Sequence, residues 1–352
     1  MSEGGGGDFL ERLAPDLSAG ILLRLEDTAA LVRATSVSRS WRRFVIANGL
    51  CKKFCSRIFP EISCFARVIE VGRLSSSLEV VSGGSMEFSR LESEHTVYAQ
   101  LGHCILQGFL TDCIVEAIAA SSTHNHSVQL IMTAIENTLH PSIGQISYWS
   151  SMGKSDPDAP ETLTYRLSSK LCVVYEISLQ PLQVRTDSDD LIYMSKTVRF
   201  KLGHSWCLGE RSMVYDNASN ETLGDGNYMW TYVSPEFSMV QGDRWQTFKL
   251  PQPVICVGGI LQIELLGRVQ KSYMDNLYYV CVSHVKAIGK PLSPAFDVEI
   301  LDRMGNSILM YFHGAESVLE DASVAGSSRP SFSLRYRRLR RENTRRRKSR
   351  KL

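Results

Sequence analysis

Apolar residues recur at helical spacing from Asp8 to about Asn48. Leu17, Ile21, Leu22 and Leu25 share one face, and Val37, Trp41, Phe44 and Val45 share another at i, i+4, i+7 and i+8. This spacing predicts about three short helices. Asp27 suits the N-cap of the segment carrying Leu31, Val32 and Ala34, Ser36 or Ser38 suits the next, and Gly49 falls where a helix end favours positive φ. So short a segment buries little surface alone, and its leftover apolar face is expected to meet a partner. Residues 51–71 read as helical in part, stopping at Pro60. Phe88, Leu91, His95, Tyr98, Leu101 and Ile105 then predict one connector helix over about 86–107.

Beyond Gly108 the period changes to two. Leu163, Tyr165 and Leu167 alternate with Thr164 and Arg166; Leu171, Val173, Tyr175, Ile177 and Leu179 alternate with Glu176 and Ser178; Val198, Phe200 and Leu202 alternate with Thr197, Arg199 and Lys201. Further strands are predicted at 113–119, 145–149, 228–233, 246–250, 260–265 and 277–286. No helical pattern separates them, which favours an antiparallel sandwich or barrel. A hairpin is predicted from 296–300 and 308–312 around the turn at 302–306, and the Gly-rich residues 1–7 have nothing to bury.

Composition narrows the class. At 352 residues, 43% hydrophobic and 22% charged, the chain suits about two globular domains and is not fibrous, collagen-like or wholly disordered. It has neither an apolar run of membrane-spanning length nor a basic-then-apolar leader, so a chain neither secreted nor inserted in a membrane is expected. Its nine cysteines are odd in number and scattered, which suits reduced thiols. Cys51, Cys55 and Cys64 lack a fourth ligand at zinc spacing, so no metal and no cofactor is expected. The net charge of +2 conceals an asymmetry: residues 335–351 hold eleven Lys or Arg and one acid, Glu342, while the remainder carries −8. This tail suits nuclear import through Arg345, Arg346, Arg347 and Lys348, nonspecific phosphate binding, or a solvated end. It has no scaffold for sequence-specific reading of nucleic acid.

Two stretches resemble known families. Leu13-Ala14-Pro15-Asp16-Leu17, then Ile21, Leu22, Leu25, Glu26-Asp27, Leu31, Val37 and Ser40-Trp41-Arg42 resemble the F-box. The resemblance implies docking on the small adaptor subunit of SCF-type ubiquitin ligases, and through it on cullin. Leu13, Pro15, Leu17, Ile21, Leu22, Leu25, Leu31, Val37 and Trp41 are the expected adaptor-binding residues. Ala120-Ser121-Ser122, Ile135-Glu136-Asn137-Thr138-Leu139, Tyr148-Trp149-Ser150-Ser151 and Glu161-Thr162-Leu163, in that order, resemble the discoidin or galactose-binding-like family. That resemblance implies a jelly-roll-like antiparallel β-sandwich. The expected architecture is a two-domain α+β chain: a disordered lead over 1–7, an F-box module over 8–55, a helical linker over 56–107, a sandwich with an extra hairpin over 108–312, and a flexible basic tail over 313–352.

Candidate chemistry clusters in loops. Gly203-His204-Ser205-Trp206-Cys207 is similar to a nucleophile elbow, but a loop composition rather than a helix follows it. Asp156, Asp158 and Glu161 sit in a Pro-bearing loop that could offer hard oxygen ligands or simply be a solvated turn, and His124 and His126 form a weak pair. Loops at one end of such a sandwich are free to vary, which makes His124, Trp149, Asp156, Asp158 and Trp206 the expected target-binding residues, on loops expected to share that end. The leading expectation is a substrate receptor of an SCF-type ligase, found in nucleus and cytoplasm, that contributes no catalytic residue and touches no membrane. A lectin-like binder of sugar or peptide is the alternative, and a serine hydrolase using Ser205 is a remote one.

Overall fold

The computed structural model describes residues 9–72, 83–124, 138–139, 148–185, 190–205 and 227–315. The chain starts with five helices: α1 (Phe9–Arg12), α2 (Pro15–Leu22), α3 (Thr28–Thr35), α4 (Arg39–Ala47) and α5 (Leu50–Ile58). Pro15 opens α2, where its missing N–H leaves nothing unpaired. Asp27 Oδ1 accepts from the Ala30 N–H at 2.6 Å and Ser38 Oγ accepts from the Trp41 N–H at 3.1 Å, so the sequence-predicted caps start α3 and α4. Gly49, with φ +57°, turns α4 into α5.

A 3-10 turn over Pro60–Cys64 leads into β1 (Phe65–Val71), followed by α6 (Gly83–Leu106). The helix expected after Cys51 does stop before Pro60, but 65–71, counted within a helical linker, is a strand. Its β-branched Val68, Ile69 and Val71 suit one, and its partner lies some 240 residues later, where no local pattern could announce it. Nor is α6 a free connector. Val97, Tyr98, Leu101 and Ile105 are buried in the same core as Leu31, Val45, Leu50 and Phe54. Thr28 Oγ1 donates to the Ala99 carbonyl at 3.1 Å, an approach that only glycine at 102 permits, since a Cβ there would lie 2.4 Å from Thr28 Cγ2.

The rest of the described chain is strand and loop: β2 (Thr111–Asp112), β3 (Ile114–Ala120), β4 (Trp149–Ser150), β5 (Glu161–Leu167), β6 (Leu171–Pro181), β7 (Gln183–Arg185), β8 (Asp190–Ile192), β9 (Ser195–Ser205), β10 (Tyr228–Val233), β11 (Phe237–Ser238), β12 (Gln246–Val257), β13 (Ile260–Arg268), β14 (Cys281–Pro291), β15 (Phe296–Ile300) and β16 (Ser307–Phe312). One sheet runs β10-β9-β13-β5-β3 with β11 beside β9, and the other runs β12-β6-β14-β2 with β4 beside β14. Leu163, Tyr165, Phe200, Leu202, Leu261 and Ile263 from the first meet Cys172, Val174, Ile177, Leu179, Val254 and Val285 from the second. This is a two-layer antiparallel sandwich.

The apolar runs Leu171-Cys172-Val173-Val174 and Val254-Ile255-Cys256-Val257 break the expected alternation because both their faces are covered. Cys172, Val174, Val254 and Cys256 point into the sandwich, whereas Leu171, Val173, Ile255 and Val257 join the core of the helices. The phase flips at Tyr175, which bulges from the ladder with β14: Ile288 pairs with Glu176 and the next residue, Gly289, with Val174. The C-terminal hairpin, β15 with β16, joins β1 in a three-stranded sheet, β16 running parallel to β1. The segment 56–107 is therefore more than a helical linker: it supplies a strand and a helix to a core that helices and sandwich share. Lys290 fastens the two, its Nζ donating to the carbonyls of Ile105 at 2.9 Å and Leu106 at 3.2 Å at the end of α6. No helix among the described residues is long and apolar enough to cross a membrane.

Candidate functional site

The helical module divides the nine residues expected to bind an adaptor. Leu22 and Leu31 are buried, and Leu25 and Trp41 pack against the same core, so these four hold the module together. Leu22 and Leu31 in particular are unavailable to a partner, which corrects their expected role. Leu17 is 60% exposed, Ile21 48%, Val37 63% and Leu13 37%, and Pro15 is exposed beside them. Helix geometry explains the split, since Leu17 and Ile21 lie one turn apart on α2 while Ser18, Ala19 and Leu22 turn inward.

At one end of the sandwich, the residues that carried the second resemblance converge on a buried ion pair. Arg268 closes β13 and Glu161 opens β5, and their side chains pair with almost no exposure. Arg268 also donates to the carbonyls of Ala159, Met152 and Tyr278 at 3.0, 2.8 and 2.9 Å and to Ser151 Oγ at 3.2 Å. Glu161 accepts from the hydroxyls of Ser121 and Ser122, the latter at 2.8 Å. Trp149 Nε1 reaches the Ser122 carbonyl and Thr123 Oγ1, both at 3.1 Å. Each nitrogen of the Arg268 guanidinium group therefore donates to an acceptor, which is what makes a buried charge tolerable. The tryptophan is fully buried in the sandwich core. Trp149 is thus no target contact, and the Ala-Ser and Trp-Ser motifs are the fold's own fastening.

The remaining target candidates scatter. Asp156 Oδ1 accepts the Asp158 N–H at 2.9 Å, and both carboxylates stand in a solvated turn. His124 is exposed, with its ring edge-on to Tyr279 at 5.5 Å. His126, Trp206 and the tail with Arg345, Arg346, Arg347 and Lys348 lie outside the described residues. The expected shared end of the loops does not hold either. Ser195 of β9 pairs with Arg268, whereas Gly203 pairs with Ile260 and Ser205 with Tyr228. At roughly 3.3 Å per residue, the connection after Ser205 leaves about 30 Å from the Arg268 end. Neighbouring strand positions also point His204 and Ser205 to opposite faces; His204 is buried and Ser205 exposed, so they do not form a nucleophile and base.

Sequence reading missed the surface His124 belongs to. Tyr279 stands edge-on to Tyr193 at 6.5 Å, and its hydroxyl donates to Asp275 Oδ2 at 2.5 Å. That bond, ahead of partial burial, pushes the Tyr279 phenol up to about 12 and holds Asp275 below its ordinary value. The loop between β13 and β14 is braced by Ser272 N–H to the Leu277 carbonyl at 2.9 Å, Asn276 N–H to the Ser272 carbonyl at 3.0 Å, and Leu277 N–H to Asp275 Oδ1 at 3.1 Å. Its tip presents Tyr273, 72% exposed, and Met274, 99% exposed. The available signal was two large apolar residues bracketed by the turn formers Ser272, Asp275 and Asn276.

Burial pushes the thiols of Cys51, Cys55 and Cys256 up to about 12 and that of Cys281 to about 11, which disfavours the reactive thiolate at these four positions. Among the described residues no group of three or more His, Cys, Asp or Glu is placed to hold a metal ion.

No protein-family profile matches the chain. An F-box protein of Arabidopsis thaliana is 41% identical over 316 residues, 86% of this chain and 82% of that protein. Among solved structures, the family 32 carbohydrate-binding module of C. perfringens NanJ, in complex with galactose, aligns with 51% of this chain and 99% of its own at 11% identity and TM-score 0.33. A putative chitobiase fragment from Bacteroides thetaiotaomicron aligns with 53% of this chain and 95% of its own at 12% identity and TM-score 0.35. Likeness at that level adds nothing to the sandwich read directly from strand pairing.

Proposed function

The chain belongs to the F-box protein family, and from that premise we propose that it is the substrate-recognition subunit of an SCF-type ubiquitin ligase. Its helices dock on the adaptor, through which cullin is reached, and its sandwich holds the target protein. It acts by proximity: tethering raises the target's effective concentration at the ubiquitin-loaded enzyme to about millimolar for short spans. The observation that carries this reading is that Leu13, Leu17, Ile21 and Val37 stay exposed on a module whose Leu22 and Leu31 are buried and whose Leu25 and Trp41 pack against the core. Large apolar side chains left in water in this number on one small module suit a protein contact.

For the target, the reading favours the loop end with Tyr273, Met274, Tyr279, Tyr193 and His124. Aromatic and thioether side chains on a braced loop bind at low entropic cost, as contact hot spots do. A projecting Tyr–Met pair also suits an apolar cleft on a protein better than the hydroxyls of a sugar, which weighs against the lectin-like alternative. The basic tail, on this reading, directs the chain to the nucleus.

The test is copurification. The full chain should bring down adaptor and cullin together, and the Leu17→Asp/Ile21→Asp double variant should bring down neither while melting as the parent does. Adaptor recovery undiminished in that variant would overturn the docking face. Truncation before Arg335 should move a fluorescent fusion out of the nucleus, and an unchanged distribution would remove the tail's proposed role.

A further inference from the structure

Residues 9–58 hold nine Lys or Arg against four Asp or Glu, a net of +5, whereas residues 59–334 carry −11. Three of these nine cations stand together. Arg39, Arg42 and Arg43 of α4, with Phe88 of α6, line an open cleft of about 370 Å³. Arg42 pairs with Glu92. Among the described residues neither Arg39 nor Arg43 has an ion-pair partner, and both are exposed.

This arrangement opposes the helix that carries it. Arg39 occupies the first position of α4, next to the free N–H groups, where the helix dipole favours an anion, and the first turn holds no acid to compensate. Arg43 lies four residues on, stacking like charge upon like charge. Among the described residues, no ion pair of Arg39 or Arg43 offsets this. The cluster also begins two residues after Val37, one of the exposed apolar residues of the motif. An apolar centre rimmed by cations is the anatomy of an interface whose partner carries the opposite sign.

We infer that Arg39, Arg42 and Arg43 form the electrostatic rim of the adaptor-docking surface, and that the adaptor meets them with an acidic face. The inference rests on the docking reading above and deepens it. The rim cations steer encounter and set orientation, while Leu17, Ile21 and Val37 supply the holding contact.

The experiment measures association and dissociation of the purified adaptor subunit with the full chain at low and high salt. For Arg39→Glu/Arg43→Glu, association should slow by about tenfold at low salt, with the deficit closing at high salt. Dissociation should change little, and Arg39→Lys/Arg43→Lys should restore the rate. The melting temperature should stay level or rise, because Glu suits the first turn of α4; damage to the fold would lower it. A double Glu variant with the parent's association rate and salt dependence overturns the inference. If that occurs while Leu17→Asp/Ile21→Asp still abolishes binding, the docking reading stands and only the rim falls. If the parent chain binds no adaptor at either salt, both fall.

Discussion

The helical module and the loop end of the sandwich were both marked out by short motifs, and those motifs have different jobs in the two places. In the module, the motif splits into Leu22 and Leu31 inside and Leu17, Ile21 and Val37 outside, and the outer set has no structural task. At the loop end, Ser121, Ser122, Trp149 and Glu161 are consumed by the network around Arg268. The side chains left to meet a partner there, Tyr273 and Met274, belong to no motif. A motif residue is therefore a contact residue only where the fold leaves it uncovered.

The sharpest way to break this contrast is to attack the buried network. Trp149→Ala should cost about 3–5 kcal/mol of stability. Arg268→Met should cost a similar amount, about 3–5 kcal/mol, by stranding the Glu161 carboxylate without its partner. Chemical denaturation of the full chain checks both. If either variant unfolds at the parent's midpoint, the network is not a fastening.

Next in size, Tyr273→Ala/Met274→Ala should weaken target capture by about thirtyfold, equivalent to about 2 kcal/mol, with an unchanged melting temperature. Pull-down beside a thermal melt separates that from damage to the fold. Full target recovery would move recognition elsewhere on the sandwich. Smaller again, Asp27→Ala should cost about 1 kcal/mol by removing the cap of α3, read as a shift in denaturation midpoint.

The smallest expected effect is on pH. Burial pushes His95, His204 and His284 below their ordinary value; Arg42 also lowers His95 while Glu92 raises it, and Asp302 raises His204. In the unfolded chain these rings regain a pKa near about 6.5, so the unfolded state binds protons first as pH falls. Their contribution to stability is complete above about pH 6.5 and declines below it toward the folded values. Melting temperatures across that range should show a gradual loss on the acid side.

How much of this was legible in the sequence depends on how local each determinant is. Asp27 and Ser38 act within three residues and announced themselves. So did the strands around Tyr165 and Phe200, where polar residues alternate with apolar ones that enter the sandwich core. β1 was illegible because its partner, β16, lies at the far end of the chain. The both-sided burial of Leu171-Cys172-Val173-Val174 was visible as an unbroken apolar run, but what covered the second face was not. Periodicity likewise showed that Leu17, Ile21 and Leu22 share an apolar face without showing which of them water reaches, because that is settled only when α2 turns Ala19 and Leu22 into the shared core.

The central claim, that uncovered motif residues bind and covered ones fold the chain, is tested most directly by one paired measurement on Ile21→Asp. Its adaptor affinity is taken by calorimetry and its melting temperature in the same buffer. The expected result is a loss of at least about thirtyfold in affinity at the parent's melting temperature. An affinity equal to the parent's, or a loss that merely follows a lowered melting temperature, would contradict it.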